Sequence, residues 1–66
     1  MSYLLSYASG VIGYGLSDDL DVAMDQAVQR CEVMQQAATI VNRETYQVVA
    51  SVEPVGPGLY KAQKAQ

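Results

Sequence analysis

The strongest constraint in this chain is a helical period. Leu20, Ala23, Met24, Ala27, Val28, Cys31, Met34 and Ala38 recur at spacings of three and four, so one side of a helix over residues 18–36 is apolar and must meet a core. Ser17 or Asp18 supplies the expected N-cap oxygen, and Asp18, Asp19 and Asp21 place negative charge where the helix dipole favours it. No Gly or Pro stops the helix; the β-branched run 39–41 is where strand preference takes over.

On either side of the helix the pattern changes to strand. Residues 3–8 and 11–16 read as a hairpin closed by the two-residue turn Ser9-Gly10. That register pairs Tyr3 with Leu16, Leu5 with Tyr14, and Tyr7 with Ile12. It therefore gathers Tyr3, Leu5, Tyr7, Ile12, Tyr14 and Leu16 on one side and leaves Leu4, Ser6, Ala8, Val11, Gly13 and Gly15 on the other. After the helix, 39–41 and 45–53 form a second hairpin around Asn42, Arg43 and Glu44, the first of these a short edge strand or the frayed end of the helix. Alternation in the second run predicts Tyr46, Val48, Ala50 and Val52 on the apolar side, with Pro54 ending the strand. The expected fold is α+β with ββαββ order: a small, largely antiparallel four-stranded sheet with one amphipathic helix packed on one face. It occupies 1–53, and 54–66 is expected to be a flexible tail in which Leu59 and Tyr60 are the sizeable apolar side chains.

A 66-residue domain buries only about 60% of the surface its unfolded chain exposes. With one Cys and no His, neither an internal disulfide nor a histidine-bearing metal site can make up the shortfall, so homo-oligomerisation, a dimer above all, is the expected remedy. Cys31 falls in the apolar stripe and reads as a buried hydrophobe, which suits a reducing cytoplasm. Residues 1–16 lack the basic start of a signal peptide and are too short and polar to span a bilayer.

The formal net charge is −3, and residues 1–60 set two arginines against seven acids. Without a basic stripe, nucleic-acid binding and docking to an anionic membrane are disfavoured. The glycines at 10, 13 and 15 lack the spacing of a dinucleotide loop and the Lys of a P-loop, and aspartates occupy the helix start where a phosphate would sit. The aspartates in turn lack the glycine and spacing of an EF-hand. Neither a cofactor nor a metal is expected. With no His and no base beside any Ser, enzymatic chemistry has the least support.

Surfaces are what the helix offers instead. Asp18, Asp21, Asp25 and Glu32 form an acidic flank, either a solvated face or a ridge for a partner with a basic surface. Val22, Gln26, Gln29, Val33 and Gln36 follow at coiled-coil spacing along an uncharged back, which suits a contact with another helix. Every aromatic residue is Tyr, and Tyr3, Tyr7 and Tyr14 join the candidate protein-binding set, since Tyr tolerates half-burial at interfaces. The reading that follows is a small acidic cytoplasmic protein that binds another protein, with the style of a phage or mobile-element accessory protein that inhibits a host protein by contact. Two alternatives stand beside it: a binder of a nucleotide-like metabolite with a pocket between subunits, and a structural subunit of a larger assembly.

Overall fold

The computed structural model describes residues 3–65, and for Tyr14 the backbone alone. The chain runs β1 (Tyr3–Tyr7), β2 (Ile12–Leu16), α1 (Leu20–Met34), β3 (Ala38–Asn42), β4 (Val48–Gly56) and β5 (Leu59–Lys64). All pairings are antiparallel in the order β2-β1-β3-β4-β5. The architecture is thus α+β with one helix on one face, as the periodicity predicts, but the sheet has five strands among the described residues rather than four. The fifth comes from the expected tail. Pro54 does not end β4, because β3 stops opposite Val52 and the strand has a neighbour only on its β5 side from there on. A missing N–H is tolerated at such an edge-like position. Pro57-Gly58 then closes the hairpin, Gly58 adopting φ +71° as the second central residue of a Pro-Gly turn does.

The stretch 39–41, expected at an edge, lies in β3 at the centre of the sheet, paired on both sides. Since β2 and β3 both run antiparallel to β1, they are parallel to each other, and α1 is the crossover that carries the chain over the sheet between them.

The first hairpin departs from the expected register. Its loop holds three residues, Ala8, Ser9 and Gly10: the Tyr7 amide donates to Val11 O at 2.9 Å, the Gly10 amide donates to Tyr7 O at 2.9 Å, and Gly10 has φ +91°. A left-handed glycine at the last position is the usual solution for a loop of this length. Tyr3 pairs with Leu16 as expected, but the register then shifts, so that Ser6 instead of Tyr7 opposes Ile12. The bulge sets Gly13 and Tyr14 against Leu5 and moves Ile12 off the core side.

The same device acts in β4. Ile40 pairs with Ala50 but Val41 with Val48, so the extra residue, Val49, packs on the core while Val48 turns outward. Tyr46 lies in the turn at φ +59°, not in the strand. The Asn42 side chain organises that turn, its Oδ1 accepting from the amides of Glu44 and Thr45 at 2.8 and 3.2 Å. Alternation is right for Ala50 and Val52, both fully buried, and fails for Tyr46 and Val48 because one inserted residue reverses the facing.

The N-cap is Asp19, not Ser17 or Asp18. Its Oδ1 accepts from the amides of Asp21 at 2.9 Å and Val22 at 3.4 Å, while Ser17 Oγ accepts from the Asp19 amide. The helix stops at Met34 because Gln35 turns left-handed at φ +54° and both its amide and that of Gln36 donate to Cys31 O. Ala38 therefore belongs to β3.

The core is formed by Leu5, Tyr7, Leu16, Ile40, Ala50 and Val52 of the sheet against Ala23, Ala27 and Cys31 of the helix. These helical residues are all small and one turn apart, so α1 seats close to the sheet. Leu20, Met24 and Val28 pack beside them, as do Tyr60 and Ala62 of β5.

Two outcomes follow. A Cβ at Gly13 would sit 3.1 Å from the Tyr7 ring and 3.3 Å from Leu5 O, so Gly13→Val should cost about 1–3 kcal/mol in urea unfolding. Asp19→Ala should cost about 1 kcal/mol, and Asp18→Ala should shift the same unfolding curve far less, because Asp19 makes the capping bonds.

Candidate functional site

On the helix side a cleft lies between α1 and the first hairpin. Tyr7, Gln26, Gln29, Arg30, Val33 and Met34 line about 470 Å³ of it. An adjoining recess of about 430 Å³, sharing Tyr7 and Met34, extends over Val11, Ile12 and Gly13. Its origin is the off-centre seat of the helix, which lies chiefly over β4 and β5. The core-side surface of β1 and β2 is left with Tyr7 as a floor. Apolar side chains are exposed along the walls: Val33 is 82% accessible and Met34 51%.

The site is nearly neutral. Arg30 is the one charged side chain among the lining residues. The glutamines add amide donors and acceptors, and Gln26 is already engaged, its Oε1 accepting from the Ser17 amide at 2.9 Å. That bond ties the approach of the helix to its own second turn.

Of the residues singled out by sequence, the cleft unites Tyr7, Gln26, Gln29 and Val33. Val22 is exposed on the same helical side, nearer the N-terminus. Gln36 lies beyond the helix end, half-buried, and its amide oxygen has no hydrogen-bond partner among the described residues. Tyr3 is not in the cleft; it packs against the core. The Tyr14 side chain lies outside the described residues.

The acidic flank is elsewhere. Asp21 and Asp25 border a shallow depression on the opposite side of the helix with Met24, Val28, Tyr60, Ala62 and the β5 edge at Lys61. Asp21 Oδ1 is 3.5 Å from Lys64 Nζ, both side chains largely exposed. A pair so exposed contributes about 0–1 kcal/mol. The flank thus faces Lys64 of its own chain, brought there by the fifth strand. Asp18 is exposed ahead of the helix, and Glu32 is half-buried further along the same flank.

Sequence reasoning missed Met34, Val11, Gly13 and Arg30 as site residues. Met34 fits the core stripe by spacing, and its exposure follows only from where the sheet ends beneath it. Val11 belongs to the cleft because the loop has three residues instead of two. Among the described residues no group of three or more His, Cys, Asp or Glu side chains is placed to hold a metal ion, and no helix is long and apolar enough to cross a membrane.

Comparison with protein-family models, curated proteins and solved structures finds no match for this chain.

Cys31 is buried beneath the helix, and desolvation pushes its thiol pKa up. The folded state therefore holds a proton that the unfolded chain releases above a thiol pKa of about 8.5. Stability from this source is whole below that pH and is lost as pH rises through the higher folded-state value. Urea unfolding should show a steeper alkaline decline for wild type than for Cys31→Ala, and native Cys31 should react with a thiol reagent only at the rate of opening.

Proposed function

We propose that the protein acts by binding another protein, and that the cleft between α1 and the first hairpin receives an apolar segment of that partner. The observation that carries this reading is the continuity of exposed apolar side chains around Tyr7. Val11, Ile12, Val33 and Met34 surround one floor, with Gln26 and Gln29 as the polar rim. Uncharged centres with Tyr and Met, edged by amides, are the usual composition of protein interfaces. The uncharged helical back supports the same reading, because it lines the cleft instead of facing water alone.

Charge sets the character of the partner. Five acids lie on or just before the helix, so the field on this side of the molecule is negative even though the cleft itself is not. An apolar segment flanked by Lys or Arg is drawn in by that field and held by the groove, the two effects acting on encounter and on residence respectively. Occlusion of a host factor by an accessory protein of a phage or mobile element is a role in which such binding is itself the activity.

A selection from a displayed random-peptide library tests the reading. Enriched peptides should carry at least two apolar anchors with neighbouring basic residues, and their affinity should fall with added salt. Val33→Glu should weaken them by roughly tenfold or more without changing the far-ultraviolet circular dichroism. Enrichment indifferent to Val33→Glu would move the site elsewhere. Failure to enrich peptides, together with a large thermal shift from a nucleotide panel, would favour the metabolite-binding alternative.

A further inference from the structure

Among the described residues nothing covers the face of the sheet opposite α1. By strand alternation it presents Leu4 and Ser6 of β1, Ile12 of β2, Thr39 and Val41 of β3, and Val48 and Ser51 of β4. Leu4, Ser6, Ile12, Val41 and Tyr46 enclose a depression of about 230 Å³ at its centre. Val48 is 50% exposed beside it, and Tyr46 is 72% exposed while held at φ +59°. A left-handed tyrosine costs about 1–2 kcal/mol relative to ordinary backbone, and here that cost keeps a large ring at the rim of an apolar patch.

Charge separates this face from the other side of the molecule. Glu53 pairs with Lys61 across β4 and β5 on the open face, and the turn before β4 contributes Arg43 and Glu44, one charge of each sign in both places. The other layer holds Asp18, Asp19, Asp21, Asp25 and Glu32 against Arg30 and Lys64, five acids to two cations, which accounts for the whole net charge of −3. Two copies meeting through their helices would bring like charge together. Two copies meeting through their sheets keep it at the far ends.

We infer that the open sheet face packs against the same face of a second copy across a two-fold axis, with both helices outermost. Stacked sheets lie about 10 Å apart, with side chains of the two faces filling the space between. Five strands at about 4.8 Å spacing and some six residues in length make a face about 20 by 20 Å. Its footprint is about 400 Å², and the relief of the side chains on it raises the accessible area toward the roughly 800 Å² per partner of a standard interface. An isologous contact asks only that the face complement itself, which a neutral patch with balanced rims does. The part of the cleft lined by Tyr7, Gln26, Gln29, Val33 and Met34 stays open in this dimer, and Ile12, on the edge strand, is the residue that borders both depressions.

Sedimentation equilibrium and light scattering on the full chain test it, with variants on both faces. Wild type should be a dimer at micromolar concentration, and Val48→Glu should raise the dissociation constant by roughly tenfold or more with unchanged circular dichroism. Should Val48→Glu fail to fold, Tyr46→Gly carries the test. It removes the ring while relieving the positive φ, so it should weaken the dimer and leave the monomer folded. Val33→Glu, on the helix side, should dimerise as wild type does. A monomer at every concentration, or a dimer lost in Val33→Glu and kept in both Val48→Glu and Tyr46→Gly, overturns the assignment.

Discussion

One helix has to cover five strands, and it is not wide enough. A helix is about 10–12 Å across with its side chains, whereas five strands spaced about 4.8 Å apart span nearly twice that. Small residues at one-turn intervals, Ala23, Ala27 and Cys31, seat α1 against the sheet, and it settles toward β4 and β5, where Tyr60 and Ala62 meet its flank. The uncovered part of the core side becomes the cleft over Tyr7. Among the described residues the far side of the sheet has no cover. Both candidate binding surfaces therefore arise from the same shortage of helical cover.

The fifth strand changes the meaning of the helix surface. As a tail, residues 59–64 would have left Asp21 and Asp25 facing water or a basic partner. As β5 they bring Lys64 to that flank, 3.5 Å from Asp21. The part of the helix left for a partner is then the uncharged Val and Gln back. Negative charge on the far flank of the helix still shapes encounter, while the contact surface is neutral.

Periodicity made the helix, its buried stripe and the strands around it legible, and it placed Gln26, Gln29 and Val33 together on one helical face. It could not show the bulges. Gly13-Tyr14 and Val49 each insert one residue, and in a structure of period two a single insertion reverses every side chain beyond it. Uninterrupted alternation puts Ile12 on the Tyr7 side of its ribbon and Tyr46 and Val48 on the apolar side of their strand, whereas all three lie at the exposed surface. Pro54 and the glycines after it misled in another way. Breakers do end central strands, but here the neighbouring strand had already stopped, and nothing local to Pro54 records where β3 ends.

Local pattern, then, determined that this chain makes one acidic-capped amphipathic helix among strands, with Ala23, Ala27, Cys31, Ala50 and Val52 inside. These are properties of short-range spacing, and spacing is what a sequence states directly. Which strand lies central, which edge the helix favours, whether the acids meet lysines, and which apolar side chains are left exposed were decided by tertiary structure. Those depend on pairings between distant residues, such as β1 with β3 and β4 with β5, and on the width of a helix against the width of a sheet.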